Sequence, residues 1–419
     1  MNVLVFEDSR VERLGVLTAA RPACDLMIGT SSLHDALAHL GHVQRVVRPH
    51  LARHIAALAG RRITLWGGAT PPAATEPPAS SRGTTALVVN ARVVPSRQNI
   101  QSLRTMVEAG HRGAVRDGST IAAAVLHLAA DGSGPDHAAW SALRDTGSAA
   151  ALETLPLGEL DGFVDLLHET HDVITAHEQA IEGSLAMRID SGRFRETKPG
   201  LFVADGATVA DQVVVRHGPV VVDAGAEIGP FVCLDGPAYI GPAARVNPHG
   251  WIRPATAVGM ACRAGGEIEA TIMEPFSNKP HDGFLGHSHV GSWVNIAAGT
   301  ITSNLKATYG PIRLHVTLPD GSRETLHTGR QFLGAMIGDC AKTAINASIP
   351  CGGRIGVAAT VGGAVPEEVK AFTNMLVDRV SVLQRPPHGP DGRASCRSRH
   401  PAGARAAVGD LGAEAEALT

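Results

Sequence analysis

Several things are scarce in this chain, and each scarcity narrows what it can be. Aromatic residues make up only 4% of its 419 residues, the composition that a narrow core of Val, Ile and Ala would produce. The six cysteines (Cys24, Cys233, Cys262, Cys340, Cys351, Cys396) are scattered with no CxxC pair. That argues against a disulfide framework and for reduced thiols in a cytoplasmic protein. No stretch approaches the roughly 18 apolar residues of a membrane span. The net charge of −3 gives no global pull toward nucleic acid or an anionic membrane. Lysine is nearly missing, with Lys198, Lys279, Lys306, Lys342 and Lys370 against a large excess of arginine; no chemistry attaches to that bias. A basic, long apolar leader is also missing. Met1 runs into Val3-Leu4-Val5-Phe6 and then Glu7-Asp8, which reads as a short buried strand and not a signal peptide.

What is abundant is a six-residue beat. Aliphatic residues fall at Val203, Val209, Val215 and Val221, then at Ile228, Leu234, Ile240, Val246, Ile252 and Val258, with one seven-residue step between Val221 and Ile228. The beat returns at Ile337, Thr343, Ile349, Ile355 and Val361. A helix repeats near 3.6 residues and a strand near 2. A parallel β-helix repeats every six, because each short strand fills one side of a coil and turns one apolar side chain inward. Gly, Ala, Asp and Pro fill the corners, as in Ile240-Gly241-Pro242-Ala243.

The length suits two domains. Residues 1–185 read as α/β: Val3–Phe6 and Ala86–Val89 as buried strands, Leu33–Leu40 and Leu51–Leu58 as helices. Ala69–Ser81 is too Pro-rich for regular structure. Leu160–Gly183 reads as a closing helix. The β-helix is expected over 200–365, broken by an insertion at about 309–329 whose centre, His315 to Gly321, reads as a hairpin. A capping helix is expected over 366–384. Residues 385–419, rich in Arg, Gly, Pro and Ala and without periodicity, are expected to be disordered.

Between the two runs of the beat lies a dense polar stretch, Ser277 to Gly286 and then Val294 to Asn304. A β-helix core has no room for such groups, so they are expected to project outward or into a subunit seam. His281, Asp282, His287 and His289 lie within nine residues, and zinc, which needs three convergent protein ligands, is one reading of them.

A resemblance favours another. Val294-Asn295-Ile296-Ala297-Ala298-Gly299-Thr300-Ile301-Thr302-Ser303-Asn304 is similar to the signature of hexapeptide-repeat acyltransferases that acetylate glucosamine-1-phosphate. His281–Gly286 is similar to the stretch carrying that family's catalytic histidine. Gly265 to Arg313 as a whole resembles a GlmU-like subfamily of sugar nucleotidyltransferases, in which a Rossmann-like α/β nucleotidyltransferase domain precedes a left-handed parallel β-helix. The similarity runs from Phe6-Glu7-Asp8 to Val365.

The resemblance implies His281 as general base, an imidazole being largely neutral near pH 7, and no metal. It implies Arg253 on the sugar phosphate, where a forked donor suits a dianion. Lys279, Asn295 and Asn304 would bind the acceptor. Phe284 stands where relatives carry a tyrosine, so a hydroxyl contact is missing. Ala298 and Gly299 would lie along the pantetheine arm of acetyl-CoA. The site would form between subunits of a homotrimer. Glu269 stands where relatives carry a lysine, which leaves the acceptor's identity open.

The N-terminal domain resembles the start of a sugar-1-phosphate nucleotidyltransferase, with two departures. Glu7-Asp8-Ser9-Arg10 replaces the glycine-rich phosphate loop, with Arg21 preceding Pro22 where a lysine would follow it. Arg92, in Val89-Asn90-Ala91-Arg92, replaces the aspartate that holds Mg²⁺. Glu7, Asp8, Arg21, Asn90 and Arg92 are the candidate phosphate, nucleotide or metal groups, with Mg²⁺ needed if the domain is active. Three functions follow: acetylation of an amino sugar phosphate from acetyl-CoA, joining of a sugar-1-phosphate to a nucleoside triphosphate, or non-catalytic binding of sugar nucleotides.

Overall fold

The computed structural model describes residues 1–51, 84–317, 321–376 and 381–382. The expectations for 385–419, for Ala69–Ser81 and for nearly all of Leu51–Leu58 lie outside the described residues. Two compact units result, residues 1–14 with 21–168 and residues 15–20 with 169–419. The boundary expected near 185 falls inside the helix Asp172–Asp190, which groups with the second unit.

The first unit is built on a five-stranded sheet in the order His42–Val46, Asn2–Phe6, Thr84–Asn90, Thr120–Leu128, Gly113–Asp117. The first three strands are parallel, Thr120–Leu128 runs antiparallel to them, and Gly113–Asp117 pairs antiparallel with Thr120–Leu128. The runs Val3–Phe6 and Ala86–Val89 are continuous apolar sequence because both faces of the sheet are covered. Leu4, Phe6, Val88 and Leu126 pack with Trp140 and Leu143 of the helix Pro135–Thr146. The helix expected over Leu33–Leu40 is one turn, Leu33–Leu37, nucleated by a reciprocal capping box between Ser32 and Asp35. The closing helix begins later than expected, at Asp172. Residues before it are hydrogen-bonded back to the sheet instead, Leu160 N to Ala114 O and Leu167 N to Arg92 O.

The second unit is a parallel β-helix, as the beat implies. Pairing aligns its inward residues in columns: Val203, Val222, Ile240, Val258, Met273, Val290, Ile337, Ile355 and Val369 form one. The seven-residue step sits elsewhere than the bare spacing suggests. Val222, not Val221, joins the core with Ile228, and a register shift between Val215 and His217 takes up the extra residue. Val221 pairs with Phe202 and Tyr239 on the opposite face. The insertion is the antiparallel hairpin Arg313–Thr317 with Arg323–His327, as expected.

The capping helix expected over 366–384 is not formed in the described residues. Glu368–Val369 and Thr373–Met375 are strands that extend two columns of the β-helix, and Ser381–Val382 pairs antiparallel with the second. Val369 and Met375 are six residues apart, so the beat outlasts the helical spacing read there. No helix among the described residues is long and apolar enough to cross a membrane.

Candidate functional site

The expected N-terminal residues come together at the carboxyl end of the strand Asn2–Phe6, but they are engaged with one another. Glu7 Oε2 accepts from the amide and Nε of Arg48 at 2.9 and 3.1 Å, and its Oε1 accepts from the Ala23 amide at 3.0 Å. Asp8 is held by Arg92 through Nε at 2.9 Å and Nη2 at 2.7 Å, and by Asn90 Nδ2 at 2.9 Å. Burial alone would raise the Asp8 carboxyl; the hydrogen bonds from Arg92 and Asn90 outweigh it and hold the group below its ordinary value. Arg92 is fully buried and also donates to Leu167 O. Arg21 is buried too, and its carbonyl accepts from Arg48.

These residues do not fit a magnesium ion. A guanidinium occupies both oxygens of Asp8 where a cation would need them, and Arg92 is too deeply placed to meet a phosphate. The expectation that Arg92 binds phosphate therefore does not hold; its buried charge serves Asp8. Beside this pair opens a cavity of about 590 Å³ lined by Glu7, Asp8, Glu12, Arg45, Arg48 and Arg144, among others. Charges of both signs face it.

On the β-helix, three of the expected acceptor residues, Arg253, Phe284 and Asn304, lie on one face. Trp251, Glu267 and Phe284 stand in one outward column, with Ile252, Ile268 and Leu285 inward beside them. Glu269 pairs with Gly286 in the next column. Arg253 Nη1 lies 2.8 Å from Glu267 Oε1 and 2.9 Å from Glu269 Oε2, and its guanidinium covers the Trp251 ring at 5.1 Å. Burial raises the Glu269 carboxyl, and Arg253 opposes that rise. Phe284 and Asn304 meet over Gly286: a Cβ there would lie 2.4 Å from the Phe284 ring and 2.9 Å from Asn304 Nδ2.

His281 is exposed on the corner that leads into this face. Its turn is held from below by Asn247 Nδ2, which donates to Pro280 O at 2.8 Å. The Ala298–Gly299 turn belongs to the same corner, since the Gly299 amide donates to Asp282 O at 3.3 Å. Gly299 has φ +70°, and a Cβ would strike Asn346 Oδ1 at 2.0 Å, so no other residue fits without rearrangement. Asn295 is exposed on the adjoining face, in register with Asn278 and Lys342.

Lys279 contradicts its expected role. It stands between Ala264 and Ile296 in an inward column. Small Ala264 leaves room for its stem. Nζ donates to the carbonyls of Gly265, His281 and Asp282 at 3.0, 2.6 and 3.3 Å. Burial pulls the ammonium down to about 8, so it is still charged at pH 7. The core does admit a polar group, provided its head reaches corner carbonyls. Lys279 is a brace beneath His281 and not an acceptor ligand.

The histidines proposed for zinc do not gather. His289 is buried against Glu274 at 3.1 Å, while His287 faces Asn304. Among the described residues no three His, Cys, Asp or Glu side chains are arranged to hold a metal. Glu267, Glu178 and Arg330, all within this neighbourhood, escape sequence reading, and His287 is read there only as a possible zinc ligand. Glu267 had a legible signal, its strand position beside Trp251, while Glu178 and Arg330 lie 152 positions apart and carry none.

Residues 3–191 match the family described as "Sugar nucleotidyl transferase". The "Bifunctional sugar-1-phosphate nucleotidylyltransferase/acetyltransferase" of Sulfurisphaera tokodaii is 35% identical over 164 residues, 38% of this chain and 39% of that protein. The "Bifunctional protein GlmU" of Methanococcus aeolicus is 36% identical over 151 residues, 36% of this chain and 35% of the relative. The chain thus spans under two fifths of the length of these curated relatives. Among solved structures, AntD, an N-acyltransferase from Bacillus cereus in complex with dTDP and 3-hydroxybutyryl-CoA, matches at 12% identity and a TM-score of 0.21, over 48% of this chain and 88% of that one. Residues 3–191 are similar to the sugar nucleotidyl transferase family, and the chain, an α/β domain followed by a β-helix, is similar over part of its length to bifunctional GlmU-type proteins.

Proposed function

We propose that the β-helix transfers an acetyl group from acetyl-CoA to the amine of an amino sugar phosphate resembling glucosamine-1-phosphate. The observation that carries this reading is the position of His281 at the corner between the Ala298–Gly299 turn and the face bearing Arg253, Phe284 and Asn304. Thioester and acceptor would meet there. The amine nitrogen attacks the thioester carbonyl, forming the N–C bond; His281 takes the amine proton; the C–S bond breaks and the thiolate recovers a proton. General-base catalysis of this kind contributes about 10²–10⁴-fold. Arg253 offers its guanidinium to the acceptor phosphate in exchange with Glu267 and Glu269. On this reading the protein acts as a cytoplasmic homotrimer with the site at its seams.

The test is mass spectrometry of glucosamine-1-phosphate incubated with acetyl-CoA and the protein, beside His281→Ala. An acetylated product that vanishes in the variant is expected. Acetylation untouched by the substitution would sink the proposal.

The match over residues 3–191 favours a second activity, nucleotidyl transfer from a nucleoside triphosphate to a sugar-1-phosphate in the 590 Å³ cavity. Pyrophosphate release with and without Mg²⁺ tests it. The route does not pass through a metal on Asp8, which Arg92 holds.

A further inference from the structure

We propose that Arg263 is the side chain that a second copy of this protein contributes to the acceptor site, where its guanidinium meets Glu267 and Glu269 of the partner subunit. The inference rests on the ring of subunits in the reading above and deepens it.

The β-helix has three faces, and one is already covered. On the face built from Val220–Val222, Ala238–Ile240 and Thr256–Val258, the outward side chains Val221, Tyr239 and Ala257 are buried. The helix Asp172–Asp190 lies against it, with Arg188 over the Tyr239 ring at 4.4 Å and His177 Nε2 donating to Ala255 O at 3.0 Å. The two remaining faces meet at the edge that carries His281. A molecule with two adjoining faces free makes head-to-tail contacts, the first face of one copy on the second face of the next. Such contacts close into a ring when the rotation returns on itself.

The charges on these two faces differ. Along the first, Arg245 and Arg263 stand in one outward column with Asn278. Arg245 is taken by Glu227 at 2.9 Å. Arg263 makes no side-chain hydrogen bond or ion pair among the described residues. On the second face two carboxylates share one guanidinium, since Arg253 Nη1 lies between Glu267 Oε1 and Glu269 Oε2. That cluster carries one negative charge in excess.

Symmetry fixes which residues meet. A rotation about an axis parallel to the β-helix leaves height unchanged, so each coil of one copy faces the same coil of the next. A slip of one coil would put side chains about 4.8 Å out of level. Arg263 and Glu267 belong to one coil, separated only by Ala264 and the two-residue corner Gly265–Gly266. Within a chain they stand on different faces; across the seam they are level. Two guanidiniums then serve two carboxylates, and Arg253 is no longer the only cation holding both. The same rule brings Asn295, exposed on the first face, level with Asn304 of the partner subunit, because both lie in the coil of Ile296 and Thr302.

Two measurements test the contact, and neither needs turnover. The first is sedimentation velocity over a range of protein concentrations, with the folding of each variant checked by circular dichroism. The parent should sediment as a trimer. Arg263→Glu sets a third carboxylate against the pair and should raise the dissociation constant at least about ten-fold, while Arg263→Lys keeps the charge and should hold the ring. A parent that is monomeric throughout, or an Arg263→Glu protein that assembles like the parent, would overturn the inference. The second is cross-linking. Differently tagged chains, one Arg263→Cys and the other Glu267→Cys, are co-expressed and treated with a short bis-maleimide. A covalent pair of unlike chains is expected above the background from the parent's own cysteines. Neither variant alone should exceed that background, because the seam joins unlike faces. A trimer without this product would overturn the contact and leave the trimer itself standing. A trimer that cross-links but does not acetylate glucosamine-1-phosphate would support the contact and sink the acyl-transfer reading.

Discussion

Replacing Lys279 with methionine isolates the brace beneath His281. Methionine nearly matches the stem in volume, so the change removes the ammonium and little else. Three carbonyls lose a donor, and a hydrogen bond from a charged group contributes about 1.5–3 kcal/mol. The three are not additive, because one ammonium serves them all and the His281 and Asp282 carbonyls are only partly buried. Against the loss stands relief of a desolvation penalty of several kcal/mol. The carbonyl of Gly265 is the one left buried and unpaired. The balance is a net destabilisation of about 2–4 kcal/mol. Urea denaturation at pH 7, followed by circular dichroism, reads it as a lower midpoint for Lys279→Met at similar slope. The His281 turn should also loosen, so acetyl transfer should fall while the β-helix remains folded at low urea. A variant as stable as the parent, or more stable, would show that the penalty of burying the charge exceeds what the three bonds return. The account of Lys279 as a brace would then be wrong.

Acid should weaken the second unit before the carboxylates titrate fully. His177 and His287 are both drawn down by burial from 6.5 to about 4. The unfolded chain therefore takes up protons below pH 6.5 that the folded chain refuses, and stability falls as pH drops from 6.5 toward 4, by about 3 kcal/mol for each histidine. Urea midpoints at pH 7, 5.5 and 4.5 check this, and His177→Gln should flatten the dependence. In the first unit, Arg92→Met leaves the Asp8 carboxylate without its bidentate partner and should destabilise by about 3–5 kcal/mol. If the midpoint moves by less than about 1 kcal/mol equivalent, the pair is no anchor.

The coil architecture was legible because its rule is local. Inward residues recur every six positions, and only Val, Ile, Leu and small residues satisfy that column after column. The hairpin within 309–329 and the strand Val3–Phe6 were legible for a related reason, as each is a short local pattern, a turn signal in the first and a continuous apolar run in the second. The errors have physical sources as well. Val365, Val369 and Leu376 mimic a helical stripe, but the β-helix was already present as a template, and backbone pairing with Arg354 and Ile355 captured the segment. The seven-residue slip falls one step of the beat earlier than the spacing suggests, between Val215 and Val222, because spacing alone cannot locate a bulge.

The candidate site divides along the same line. His281, Phe284, Asn295, Ala298, Gly299 and Asn304 could be named as candidates because they sit in one contiguous motif. Sequence by itself determined the period, the corner residues and that motif, since all depend on neighbours within one or two coils. Only the tertiary structure decided which polar groups face inward and which charges meet. Lys279 turns inward because the closed coil surrounds it with carbonyls that do not exist as a site in the open chain. Arg92 reaches Asp8 across 84 positions and Arg330 reaches Glu178 across 152. Such pairs leave no periodic trace, because an ion pair is set by where two side chains end and not by how far apart they are in the chain.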